Sequence, residues 1–377
     1  MSGRVSSHLS ALECGNCSAR FDAGQLHNTC PTCDGPLLVR YTLTGMPGLD
    51  QILSRPPGQF RFHEVLPNGS GSETSTLGEG ATPMLRAGAL GRAVWVKDES
   101  QNPTGSFKAR GMAVAVARNV ELGATDFHLP SNGNAGAAAA AYAALHRVRV
   151  EVAVPDMTPE PLVEMARLAG AGVIRVAGTI ADAAAWLSGN DGFSLATLRE
   201  PYRVEGKKMM GYEVFWDLGR LPAAIFYPTG GGTGLVGMAK AFDEMEELGW
   251  IGPERPRMVA VQVDSCAPIV RAFHAGSDTA EPWEAPGETA AYGLRVPSAI
   301  GDRLMLAALR STKGTGVAVT EAEVGEGTAR LAEETGILGS PEGGACLAAY
   351  RRLLAEGWLG TDDEVVLFNT GAAANYW

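Results

Sequence analysis

Lys108 is the first residue of this chain whose placement invites chemistry. It lies in Asn102-Pro-Thr-Gly-Ser-Phe-Lys108-Ala-Arg-Gly111, where Pro103 and Gly105 fix a turn ahead of a helical stretch. The positive end of a helix is a poor place for a purely solvated cation. Further basic groups beside it lower an ammonium pKa, which an imine-forming lysine requires. The alternative is a solvated lysine in a turn. A second loop, Ser131-Asn-Gly-Asn134-Ala-Gly136, feeds the stretch Ala137–Leu145, and its successive N–H groups and polar side chains suit a carboxylate. A third, Pro228-Thr-Gly-Gly-Gly-Thr-Gly234, lets the backbone wrap a phosphate at close range ahead of another helix. No Gly-Lys-Ser/Thr follows it, and it is not a G-x-G-x-x-G in a first βαβ unit, so nucleotide sites are unsupported. A Gly-rich loop alone says little; the three together describe a site.

Four cysteines carry a separate chemistry. Cys14-x2-Cys17-x12-Cys30-x2-Cys33 forms two CxxC knuckles, which can place four thiolates tetrahedrally around zinc at roughly 2.3 Å per bond. The alternative is a pair of disulfides in a secreted domain, but no apolar signal region is visible, and a reducing compartment favours metal. Arg4, Arg20 and Arg40 balance Glu13, Asp22 and Asp34, so this segment has no phosphate-tracking charge and reads as a structural ribbon. Cys266 and Cys346 stand alone and read as small buried hydrophobes.

Strand and helix patterns alternate from about residue 90 onward. Strands are expected at Ala93–Lys97, Asp126–Leu129, Arg149–Val154, Gly172–Val176, Ala223–Tyr227, Arg257–Gln262 and Glu364–Phe368. Helices are expected at Ser106–Leu122, Ala135–His146, Pro159–Leu168, Gly211–Asp217, Thr233–Leu248, Val324–Thr335 and Pro341–Ala355. Such alternation predicts an α/β fold of parallel sheets with ligands at the carboxyl ends of strands. Residues 41–75 read as a covering segment and Ala275–Leu294 as a surface excursion.

With 377 residues, 45% hydrophobic and 19% charged, the chain can bury large cores. Thirty-one basic against 42 acidic residues give a net charge of −11, which disfavours nucleic acid or an anionic membrane as partner. No stretch approaches the ~18 apolar residues of a membrane helix. A soluble, cytoplasmic protein is expected.

The segments NPTGSFKARG, SNGNAG and PTGGGTG resemble the fold-type II pyridoxal-phosphate enzymes, a group that includes threonine synthase, threonine and serine dehydratases and cysteine synthase. The threonine synthase branch is suggested by the four-cysteine segment, by FRFHEVLP at 60–67, LGEGATP at 77–83 and EPYRVEGKKMMGYEV at 200–214. The resemblance implies two parallel-sheet α/β domains with the cofactor between them, preceded by a small zinc-ribbon-like segment. The divisions would be 1–40 for the ribbon, 41–111 with 211–377 for the large domain, and 112–210 for the small one. It implies that Lys108 holds pyridoxal 5'-phosphate covalently and then shuttles protons. Phe107 would lie beside the cofactor ring, and Asn134 would bond its phenolic oxygen. Gly230, Gly231, Gly232, Thr233 and Gly234 would hold its phosphate, and Thr370 would face its pyridine nitrogen. Ser131 and Asn132 would take the substrate carboxylate. Structural zinc on Cys14, Cys17, Cys30 and Cys33, a small phosphorylated amino-acid substrate and a homodimer complete the implied picture.

Arg203 and Lys207 could bind a substrate phosphate, as the EPYRVEGKK resemblance suggests, or form a charged face with Glu205. Arg110 could anchor a carboxylate of the fold or touch ligand, while Tyr212, Met209 and Met210 read as core. Three departures from the threonine synthase pattern are Ala109, SNGN in place of SSGN, and the ending Thr370-Gly-Ala-Ala-Ala-Asn-Tyr-Trp377. The leading reading is conversion of O-phospho-L-homoserine and water to L-threonine and phosphate. β-Elimination from serine or threonine and β-replacement on O-phosphoserine are the alternatives, with a non-catalytic ligand-binding homologue as a remote third.

Overall fold

A computed structural model describes residues 8–68 and 76–377. The first seven residues of the expected ribbon segment, and the end of the expected covering segment at 69–75, lie outside the described residues. The ribbon is a three-stranded antiparallel sheet in the order β2-β1-β3, from β1 (Leu9–Cys14), β2 (Arg20–Phe21) and β3 (Leu37–Tyr41). A short helix α1 (Leu49–Leu53) then leads to β4 (Met84–Arg86), β5 (Val94–Asp98) and α2 (Lys108–Glu121).

A four-stranded parallel sheet follows, built from β6 (Asp126–Pro130), α3 (Asn134–His146), β7 (Arg149–Pro155), α4 (Glu160–Leu168), β8 (Gly172–Val176), α5 (Ile180–Trp186) and β9 (Phe193–Ser194). Its order is β8-β7-β6-β9. Helix α6 (Arg203–Leu218) returns the chain to β10 (Ala224–Pro228), α7 (Thr233–Glu247), β11 (Arg257–Val263), α8 (Pro268–His274), α9 (Asp302–Ser311), β12 (Thr315–Val319), α10 (Glu321–Thr335), α11 (Pro341–Ala355) and β13 (Val365–Asn369). The six-stranded sheet has the order β12-β11-β10-β13-β5-β4 and is parallel except at the β4–β5 edge. Strands β10 and β13 are buried along their whole length, because helices cover both faces of a parallel sheet.

Each expected strand is present, with ends shifted by one residue at most. The domain boundaries drawn at 111 and 210 fall inside α2 and α6, and these two helices pack against each other. One expectation needs correcting: the helix placed at Gly211 begins at Arg203. The Glu200 carboxylate accepts the N–H groups of Tyr202 and Arg203 at 2.9 and 2.7 Å, which satisfies donors left open at a helix start. Helix α6 then buries Arg203, Glu205, Lys207 and Lys208, so no apolar stripe announces it. A second correction concerns 275–294, whose end turns inward: Ala291 and Leu294 are buried and Tyr292–Leu294 forms a 3-10 turn.

Candidate active site

Strands β5, β10 and β13 lie side by side and direct their carboxyl ends to one place. The chain after β13 is fastened to the turn before α2: the Phe107 N–H donates to the Thr370 carbonyl at 3.1 Å, and Ala372 N–H to the Gly105 carbonyl at 2.8 Å. Thr104 and Gly105 both take positive φ there, the left-handed conformation that lets the chain reverse before Lys108. Lys108, Phe107, Asn134, Thr370, Pro228, Gly230, Gly231, Gly232, Thr233 and Gly234 thus converge on one cavity, joined by Thr197, Gly293, Glu342 and Tyr376.

The Lys108 ammonium lies 4.2 Å from the Phe107 ring centroid. Burial first, and then the Arg203 guanidinium, push its pKa down to about 7, with Glu342 opposing. Loss of hydration disfavours the charged amine, so a neutral, nucleophilic form is accessible near neutrality.

Ser131 Oγ accepts the N–H groups of Gly133 and Gly136 at 3.0 and 2.8 Å, and so closes the turn that starts α3. Asn132 Nδ2 donates to the Tyr292 carbonyl at 3.1 Å. Asn134 is held by the chain's end: its Nδ2 donates to the Tyr376 hydroxyl at 3.0 Å, and its Oδ1 accepts from Asn375 at 2.8 Å. No spacing in the sequence links Tyr376 or Asn375 to residue 134. Tyr292 stacks on Tyr376 at 6.3 Å between centroids and belongs to a stretch that reads as a surface excursion.

A cleft of about 490 Å³ opens over Lys108, bounded by Ser131, Asn132, Thr197, Arg199, Ile180, Ala181, Val296 and Ile300, and by Cys33 and Asp34 of the ribbon. Arg203 and Lys207 are not among its walls. Both are fully enclosed behind it: Arg203 Nη1 donates to the Leu195 carbonyl at 2.6 Å, and Lys207 Nζ to Thr233 Oγ1 at 2.8 Å. Their burial, with that of Glu205, removes the reading of a charged surface face. Glu205 pairs instead with Lys208 and Lys240.

Arg110 anchors the fold rather than ligand. It pairs with Glu99 at 2.5 Å and Glu213 at 2.7 Å, while Lys97 meets Glu213 and Asp217 at 2.9 and 2.8 Å. Tyr212, Met209, Met210, Cys266 and Cys346 are buried.

In the ribbon, the Cys14 and Cys33 sulfurs are 3.4 Å apart and those of Cys17 and Cys30 are 3.7 Å apart, far beyond a disulfide bond. All four sulfurs lie within 4.8 Å of one another, and the Asn16 and Thr32 N–H groups point at Cys14 and Cys30. The cluster is compatible with a zinc ribbon.

Parallel sheets meeting at a lysine, a glycine-rich phosphate loop and a polar nest define a class. Residues 75–371 match the family of pyridoxal-phosphate dependent enzymes, and the chain belongs to it. The chain is 32% identical over 375 residues to a threonine synthase of Methanosarcina acetivorans, covering 97% of this chain and 91% of that protein. A threonine synthase of Methanocaldococcus jannaschii is also 32% identical, covering 95% and 91%. Among solved structures, a threonine deaminase of T.th. superposes with a TM-score of 0.64 and 25% identity, covering 86% of this chain and 98% of that one. Within the class the chain falls in the threonine synthase family, carbon–oxygen lyases.

The residues present fit pyridoxal phosphate. A Cβ added at Gly231 would lie 2.6 Å from Thr197 Cγ2, and one at Gly230 or Gly234 would collide with the Gly293 carbonyl or the Tyr227 hydroxyl. That hydroxyl is buried and has no partner among the described residues. Bare backbone at a helix N-terminus, beside an unpaired hydroxyl, is suited to a bound phosphate. Among the described residues no helix is long and apolar enough to cross a membrane.

Proposed function

We propose that this chain converts O-phospho-L-homoserine and water to L-threonine and phosphate. What carries the reading is likeness to threonine synthases over nearly the whole chain. Pyridoxal phosphate, when bound, supplies the electron sink that makes protons on the substrate carbons labile. Gly230, Gly231, Gly232, Thr233 and Gly234 would hold its phosphate, with Phe107, Asn134 and Thr370 around its ring. Ser131 and Asn132 would orient the substrate carboxylate. Lys108 would take the proton from Cα and then one from Cβ. Phosphate would leave from Cγ with its bridging oxygen, Cγ would be reprotonated, water would add its hydroxyl at Cβ, and Cα would take a proton back to complete threonine. Zinc on Cys14, Cys17, Cys30 and Cys33 and a cytoplasmic homodimer belong to the same proposal; light scattering tests the dimer.

A second reading, deamination of threonine or serine, is favoured by the apolar wall of Ile180, Ala181, Val296 and Ile300, which suits a short unphosphorylated side chain. Incubation with O-phospho-L-homoserine should release threonine and phosphate in equal amounts. A 2-oxo acid from threonine or serine, without phosphate release from any phosphorylated amino acid, supports the second reading instead.

A further inference from the structure

Buried lysines in this protein come in two kinds. Lys97, Lys208 and Lys240 each meet two carboxylates within 3.0 Å. Such pairing is what makes an interior ammonium tolerable. Lys207 is as deeply enclosed, yet among the described residues no carboxylate lies within ion-pair reach of it. Its Nζ donates to the Thr233 hydroxyl at 2.8 Å and lies 4.5 Å from the Phe107 ring centroid. The other charges around it are mainly of its own sign, Lys108 and Arg203, with Glu200 opposing them. The fold goes out of its way to admit this side chain. A Cβ on Gly111 of α2 would fall 3.0 Å from Lys207 Cε and 2.9 Å from the Arg203 carbonyl, and one on Gly206 would overlap the Arg110 carbonyl. Glycines on both helices let them approach so closely that a lysine of α6 passes α2 and ends at the first residue of α7.

We propose that Lys207 is the counter-charge of the cofactor phosphate, acting through Thr233. Because Thr233 Oγ1 accepts from Lys207, its own O–H is left to be donated into the glycine-rich loop. A phosphate dianion there meets a helix N-terminus, an oriented hydroxyl and a buried ammonium. The ammonium in turn gains the anion that the polypeptide does not supply. Lys207 is therefore a positioning residue for the cofactor, distinct from the substrate-phosphate role that sequence resemblance suggests for it.

The test needs no substrate and so stands apart from the proposed reaction. Dissociation constants of pyridoxal phosphate and of pyridoxal, which lacks the phosphate, are measured for the wild-type chain, Lys207→Met, Lys207→Gln and Thr233→Val. Loss of one charge-assisted contact should weaken pyridoxal phosphate about ten- to hundredfold. Affinity for pyridoxal should change less than about twofold, since no charge is left to answer. Lys207→Met with Thr233→Val should weaken binding less than the two single effects multiplied, because the residues act in series. Melting of the cofactor-free Lys207→Met protein should be no lower than wild type, since an unpaired buried charge is gone. Equal losses for both ligands, or a lowered melting temperature without cofactor in both Lys207 variants, would assign Lys207 a packing role. Unchanged pyridoxal phosphate affinity overturns the proposal outright.

Discussion

Asn28 Nδ2 donates to the main-chain carbonyl of Arg199 at 2.9 Å and so ties the ribbon to the wall of the cleft over Lys108. The same nitrogen reaches the Ser194 carbonyl at 2.9 Å, and Asp34 lies 3.9 Å from the Arg199 guanidinium. The ribbon, which reads from sequence as a structural appendage, contributes Cys33 and Asp34 to that wall. Asn28→Ala removes two anchors of the segment carrying Thr197. At about 0.5–1.5 kcal/mol for each of the two hydrogen bonds, KM should rise roughly 5- to 150-fold with kcat little changed. Steady-state kinetics check this; loss of bound cofactor in parallel would show that Asn28 only supports the fold.

Metal analysis tests the ribbon itself. Four thiolates within reach of one another should give about one zinc per chain, and a chelator should release it with four free thiols. Zinc-free protein carrying two disulfides would contradict the assignment.

Lys108 sets a pH profile. If Lys108 holds the cofactor, its neutral amine would be the reactive form, so uptake of pyridoxal phosphate should quicken as pH rises to about 7 and then level off. A solvated lysine would keep gaining rate toward about pH 10. Borohydride followed by peptide mapping should place the cofactor on Lys108; an adduct on Lys97 or Lys207 would refute its role. The unfolded chain holds this proton up to about 10.5 and the folded chain only to about 7. Lys108 therefore adds stability to the cofactor-free protein as pH rises across that window.

Glu213 is shared by Arg110 and Lys97. Although burial opposes it, these cations hold its carboxyl below the ordinary carboxylate range. Its contribution to stability is thus present above that range and lost as pH falls through its lowered value. Glu213→Gln leaves two buried cations undercompensated and should cost about 3–5 kcal/mol in denaturant titrations. A cost below about 1 kcal/mol would show the pairing to be solvent-screened.

Sequence periodicity located the strands because Arg257–Val263 and Val365–Asn369 are apolar runs buried in a parallel sheet. Lys108 and the loop at Gly230 were legible because their chemistry is local, a turn or a bare backbone ahead of a helix. The first half of α6 is not legible in the sequence because its first two turns bury charges, and their partners, such as Glu244 for Lys208, are supplied by a different helix. β12, with Gly316 inside it, carries too short an apolar run to be recognised. Tyr376 and Asn375 reach Asn134 only through the return of the chain after β13, and nothing in residue spacing encodes that. The ribbon's place on the cleft is hidden for the same reason, since Asn28 and Arg199 are 171 residues apart.

The most direct test of the central claim is to turn over O-phospho-L-homoserine in ¹⁸O-water and weigh both products. A carbon–oxygen lyase of threonine-synthase type should place one ¹⁸O in the threonine hydroxyl and none in the phosphate, because phosphate departs with its bridging oxygen and water adds to carbon. Homoserine as product with ¹⁸O in the phosphate, or no turnover beside ready deamination of threonine, would contradict it.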